Sequence, residues 1–125
     1  MSASLYAVTF DCADAAALAA FWADVLGRSV DSGATAEFAT IGLQDPPYTR
    51  PHWLFIQVPE VKTAKNRMHA DLIVSASNLA AETGRLLSLG AVKLAEHEED
   101  GSRWITLGDP EGNEFDVIEE GPEQQ

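Results

Sequence analysis

A chain of 125 residues has the size of one domain and is long enough to bury a core. Its net charge of -12 argues against a nucleic-acid partner, which needs a basic face, and permits a cationic ligand through general field effects. No apolar run approaches the roughly 20 residues of a membrane helix, Met1–Ser4 has no signal-peptide character, and the single cysteine, Cys12, allows no internal disulfide. The expectation is a cytoplasmic protein without a membrane partner.

In chain order, Leu5 to Phe10 reads as a strand. Asp14 is placed to cap a helix over Ala15 to Leu26, in which Leu18, Phe21, Trp22, Val25 and Leu26 fall at i, i+3, i+4, i+7 and i+8. Gly27 ends it. Ser29 to Asp31 is a short strand candidate and Thr35 to Leu43 a longer one. Gln44 to Pro51, with three prolines, is a loop. His52 to Val58 is a strand with Trp53, Phe55 and Gln57 on one face and Leu54, Ile56 and Val58 on the other. Pro59 to Met68 lacks periodicity and serves as a connection.

The second half begins with a strand over Met68 to Val74. Ser77 or Asn78 can cap a helix running to Leu89, with Leu79, Thr83, Leu86 and Leu87 on one side and Gly90 at its end. Val92 to His97 and Arg103 to Leu107 are strands joined by a hairpin turn signalled by Asp100-Gly101. A tight turn over Gly108 to Asn113 leads to a last strand, Glu114 to Ile118, and an acidic tail.

Both halves run strand, helix, then two or three strands. Each helix ends in Leu-Gly, and each half has an Asp-Pro turn before its last strand, at Asp45-Pro46 and Asp109-Pro110. The implied fold is α+β: two βαβββ modules forming a half-open eight-stranded sheet around a cleft. Module one covers about residues 4–58, the linker 59–67 and module two 68–120 of a single domain. Leu54, Ile56, Leu72, Val74, Phe115 and Val117 form purely apolar sets suited to packing under the helices. Gln57, His69, Asp71, Glu114 and Asp116, with Trp53 and Phe55, would then face the cleft, the default ligand site.

The residues Phe21 to Gly27, Lys65 to Leu72, Leu89 to Ala91 and Asp109 to Phe115 occur in the order and spacing of a known family. The chain resembles the vicinal oxygen chelate superfamily of glyoxalase I, bleomycin-resistance proteins and extradiol dioxygenases, and within it the small glyoxalase-like proteins of actinobacteria. The resemblance implies metal ligands on the first and last strands of each module. By position these fall on Ala7, which has no donor, and on Gln57, His69 and Asp116. That set is incomplete for zinc and lacks the two histidines of an iron facial triad.

His69 and Asp116 are therefore candidate ligands for a divalent metal (Zn, Ni, Fe or Mn) or an acid–base pair, against a structural reading in which His69 only hydrogen-bonds. Gln57, Trp53, Phe55 and Trp104 are candidate contacts for a flat or cationic small molecule, with core packing as the competing role of the aromatics. His52 and His97 read as surface residues at strand edges. The first functional expectation is a small-molecule-binding protein of bleomycin-resistance type without a complete metal site. The alternative is a divalent-metal-dependent lyase or isomerase of glyoxalase type, with extradiol oxygenation behind it. Exposed sheet edges and the habits of such relatives imply a homodimer.

Overall fold

A computed structural model describes residues 2–44 and 50–121. The Asp45-Pro46 turn, most of the proline loop and the end of the acidic tail lie outside the described residues. The chain divides into two compact units, Met1–Val61 and Lys62–Gln125. Each has one helix and one sheet, so the architecture is α+β with sheets of three and four strands.

In the first unit β1 (Ala7–Cys12), β2 (Phe38–Ile41) and β3 (His52–Gln57) form a sheet of order β1-β3-β2, and α1 (Ala15–Leu26) packs on it. The first strand pairs in parallel with the last, Ala7 opposite His52 and Phe10 opposite Phe55, which requires the crossover that α1 supplies. Both ends of α1 are as the sequence dictates. The Asp14 carboxylate accepts from the Ala17 N–H at 3.2 Å. Gly27 takes the left-handed conformation, φ 66°, that lets the Arg28 N–H reach the Ala23 carbonyl at 2.8 Å. Leu18, Phe21, Trp22 and Val25 are buried.

Trp22 decides which face of the sheet is covered. Its ring stacks on Trp53 with centroids 5.6 Å apart, and Phe10 joins them, 5.5 Å from Trp22 and 5.4 Å from Phe55. Trp53, Phe55 and Gln57 thus share the helix face, while Leu54 is half-buried and Ile56 exposed on the other. This corrects the expected orientation of β3. The segment His52–Val58 is apolar on both faces, and the larger aromatic surface carries the larger transfer free energy, so it takes the helix.

The strand expected at Ser29 to Asp31 is a single bridge between Val30 and Ile41. The reason is Asp31, 2% exposed, whose carboxylate accepts from the Thr40 hydroxyl (2.6 Å) and from the Leu43 and Gln44 N–H groups. A side chain satisfies donors that a longer ladder would have used. Among the described residues there are consequently seven strands, with Val30 in place of an eighth.

In the second unit β4 (Ala70–Val74), α2 (Leu79–Leu89), β5 (Val92–Glu99), β6 (Ser102–Gly108) and β7 (Glu114–Glu119) form a sheet of order β4-β7-β6-β5. Again the first strand pairs in parallel with the last, Asp71 opposite Asp116. Ile105, Leu107, Phe115 and Val117 are buried on one face, beside Leu79 and Leu86 of α2. Leu87 is 41% exposed instead of sharing that side. At about 100° per residue, Leu86 lies some 20° from Leu79 around the helix axis and Leu87 some 80° away. Asn78 stands at the N-cap, but its amide donates to Ser75 Oγ (2.7 Å) and makes no cap bond. Asp100 and Gly101, at φ 53° and 80°, make the two-residue turn of the β5–β6 hairpin.

Candidate functional site

The uncovered face of the second sheet is ordered by its register. Asp71, Asp116, Thr106 and Ala95 form one row across β4, β7, β6 and β5. Residue His69, just before β4, falls on the same face as Asp71 by alternation. The outcome is a three-residue cluster: one donor atom from each of His69, Asp71 and Asp116 lies within 4.8 Å of the others. His69 Nδ1 is 3.1 Å from Asp71 Oδ1 and 3.6 Å from Asp116 Oδ2. Both carboxylates only accept, so the attraction requires the proton, or a cation in its place, on Nδ1. The Thr106 hydroxyl donates to Asp116 Oδ1 at 2.5 Å and fixes that carboxylate's rotation.

The donor set fits a divalent metal. An imidazole nitrogen and two carboxylates are ordinary ligands at about 2.0–2.2 Å, which places donor atoms about 3–4 Å apart, close to the spacing here. Asp71 is the exposed member, with 53% of its side chain accessible, while Asp116 at 17% is the more buried one and is held by Thr106. Thr106 supplies the outer hydrogen bond that metal-binding carboxylates normally have.

A polar brace adjoins the cluster. Glu114, at the start of β7, accepts from the Asn66 N–H (2.9 Å) and from Lys62 Nζ (3.2 Å), and the Asn66 side chain donates to Asn113 Oδ1. Partial burial would raise the Glu114 pKa, but the bonds from Asn66 and Lys62 outweigh it and hold the carboxyl below its ordinary value. The brace fixes the segment that delivers His69, so Glu114, expected on the ligand-facing surface, is engaged structurally.

The other sequence candidates are dispersed. Gln57 donates its amide to the Ala13 carbonyl at 3.0 Å, on the helix face of the first sheet, while Ala7 stands on the opposite face with Leu54. The expected pairing of positions 7 and 57 on one surface is therefore corrected. Phe55 is 0% exposed and Trp53 packs on Trp22, so both belong to the core beneath α1. Trp104 does lie on the uncovered face of the second sheet, stacked on His97 at 4.9 Å and 16°. His97 is exposed as expected, but His52 is buried, with Tyr6 edge-on at 4.9 Å and no partner for Nδ1. Asp71 joins His69 and Asp116 in this cluster, although the sequence alone places it on the ligand-facing surface without marking it as a metal candidate. Its signal was the spacing His69-x-Asp71, which sets two donors on one side of a strand.

Parallel pairing of first and last strands around a crossover helix, twice in one chain, is the fold shared with solved structures of the glyoxalase/bleomycin resistance/dioxygenase family. The family model of the glyoxalase-like domain matches residues 7–118, and the chain belongs to that family. Among curated proteins none matches the sequence significantly. Solved structures share the fold at low identity. One is a glyoxalase/bleomycin resistance protein/dioxygenase family enzyme from Burkholderia phytofirmans PsJN, 19% identical, with TM-score 0.74 over 94% of this chain and 98% of that one. The fosfomycin resistance protein FosX from Listeria monocytogenes is 13% identical, with TM-score 0.74 over 99% and 98%. A mutant of that protein has been solved with Mn(II) and 1S,2S-dihydroxypropylphosphonic acid. Lactoylglutathione lyase from Agrobacterium tumefaciens is 17% identical, with TM-score 0.61 over 94% of each chain.

Proposed function

We propose that this glyoxalase-like protein binds a small organic molecule at a divalent metal held by His69, Asp71 and Asp116. The observation that carries the reading is the convergence of one imidazole and two carboxylates on an uncovered sheet face. A bound divalent cation supplies Lewis acidity toward adjacent ligand oxygens, the requirement of lyase or isomerase chemistry of glyoxalase type. The chain's own contribution is to fix Asp116 through Thr106, to bring His69 in on the braced segment, and to present Asp71 on the exposed side of the cluster. The relation to a fold whose members include a manganese complex supports Mn²⁺ beside Zn²⁺, Ni²⁺ and Fe²⁺.

A second reading, a binder without metal, is favoured by the charge of -12 and by Ala7, which offers no ligand. There Asp71 and Asp116 hold a cationic group directly. Metal content after purification without chelator, then titration of the four ions into wild type and His69→Ala, separates the two. Near-stoichiometric metal lost in His69→Ala supports the first. No metal, and no response depending on His69, overturns it and leaves the binder.

The same reading takes residues 1–125 as one domain of the small actinobacterial glyoxalase-like kind, working in the reducing cytoplasm with Cys12 as a buried thiol. It forms a homodimer, since β4 and β5 leave the edges of the second sheet available for pairing. Sedimentation equilibrium at micromolar concentration tests this, and a monomer would refute it.

A further inference from the structure

Beside the row of donors runs a second row of a different character. Ile73 faces Ile118, Ile118 faces Trp104, and Trp104 faces His97, across all four strands of the sheet. It lies two residues along from Asp71, Asp116 and Thr106, so diagonal neighbours are about 7–8 Å apart. Ile73 is 61% exposed, Ile118 and Trp104 are partly exposed, and the His97 ring is parallel to that of Trp104 within 16°. On its far side the next facing pair, Glu99 and Ser102, is polar and exposed.

The dimensions select the occupant. Strand spacings of about 4.8 Å and residue spacings of about 3.4 Å make this strip about 14 Å long and one residue row wide, on the order of 100 Å². A specific protein interface needs about 800 Å² per partner, so the strip is far too small for one and the right size for a fused ring system. Carboxylates on both sides, Asp71 and Asp116 along one and Glu99 along the other, oppose an anion.

We infer that the row Ile73–Ile118–Trp104 is a subsite for a planar, apolar, non-anionic portion of the ligand, whose polar head reaches the His69–Asp71–Asp116 cluster. The inference rests on the proposed function for the place of the head but not for its chemistry, since both a metal-bound and a cationic head put the flat portion on the same strip. The gain is burial of an aromatic surface against Trp104 and two isoleucines, enough for about a tenfold tightening over the head alone.

The test uses matched probes. On metal-free protein, 2-naphthylmethylammonium is compared with methylammonium, and 2-naphthalenesulfonate serves as the anionic control. On Mn²⁺-loaded protein, 2-naphthohydroxamate is compared with acetohydroxamate by calorimetry. The Trp104 indole N–H resonance reports the metal-free titrations. The expected result is a naphthyl advantage of about tenfold in at least one pair, weak binding of the sulfonate, and loss of the advantage in Trp104→Ala and in Ile73→Ser. Ile73 is exposed on an edge strand, so its variant keeps the test valid where Trp104→Ala fails to fold. Failure of Mn²⁺ to bind refutes the metal reading alone, because the ammonium pair still interrogates the strip. Equal affinities within both pairs, or an advantage that survives both substitutions, overturns the subsite.

Discussion

The β6–β7 turn is organised by one buried carboxylate, and its removal has a calculable cost. Asp109 is 2% exposed. Its Oδ1 accepts from the Glu111 N–H at 2.9 Å and the Asn113 N–H at 3.0 Å, and Oδ2 accepts from the Asn113 side chain at 2.9 Å. Hydrogen bonds to a charged group contribute about 1.5–3 kcal/mol each, so three amount to about 5–9 kcal/mol gross. Glu111 and Asn113 are half-buried, and water can satisfy part of what Asp109→Ala orphans. With about half recovered, the net loss is about 3–4 kcal/mol. Urea unfolding followed by tryptophan fluorescence should then show a midpoint lower by about 1.5–2 M at a slope near 2 kcal/mol/M. Asp109→Asn keeps one acceptor oxygen and should lose about half as much. A loss below about 1 kcal/mol in Asp109→Ala, at unchanged slope, would refute the view that side-chain bonds hold the turn.

Thr106→Val removes the hydroxyl that orients Asp116 while keeping the side chain's shape; metal affinity, read by Mn²⁺ electron paramagnetic resonance, should fall by about 10–100-fold with little change in melting temperature. Phe55→Ala, at a site 0% exposed in the aromatic cluster, should cost about 3–5 kcal/mol in the same urea assay. The paired hydrogen bonds from Arg85 hold the Glu82 pKa below its ordinary value of 4.5, against a smaller opposing effect of burial. A depressed folded-state pKa gives stability that is present above pH 4.5 and lost as pH falls through the lowered value. Unfolding midpoints between pH 6 and 3 should therefore fall less steeply for Glu82→Gln than for wild type, with a loss at pH 7 of only about 0.5 kcal/mol.

How far the sequence discloses this protein depends on whether local signals agree. Helix α1 was legible to the residue because its cap, apolar stripe and terminal glycine all mark one span. The β5–β6 hairpin was legible from Asp100-Gly101. The orientation of β3 was not, because alternation assigns a face only when one side is polar, and Leu54 and Ile56 compete there with Trp53 and Phe55. Only the tertiary stack with Trp22 settles it. His52 escaped for a similar reason: its N–H pairs with the Tyr6 carbonyl at 2.8 Å, and the Tyr6 ring edges against it, a contact from 46 residues earlier. In the second unit Asp71, Glu114 and Asp116 fall on one parity of β4 and β7, although Ile73 and Ile118 share it, and His69, Asp71 and Asp116 emerge on one surface as alternation requires.

The parallel pairing of β1 with β3 and of β4 with β7 also fixes how the chain must find its fold. Among the described residues every strand pair stays inside its own unit, so the longest loop either sheet must close is about one third of the chain, from Ala7 to His52 or from Ala70 to Phe115. Loop-closure entropy grows only as the logarithm of loop length, and two moderate closures replace one that would span the molecule. Pro59 and Glu60 belong to neither loop. Residues inserted between them lengthen neither closure, so folding rate should be insensitive to a spacer there and sensitive to one placed between α1 and β2.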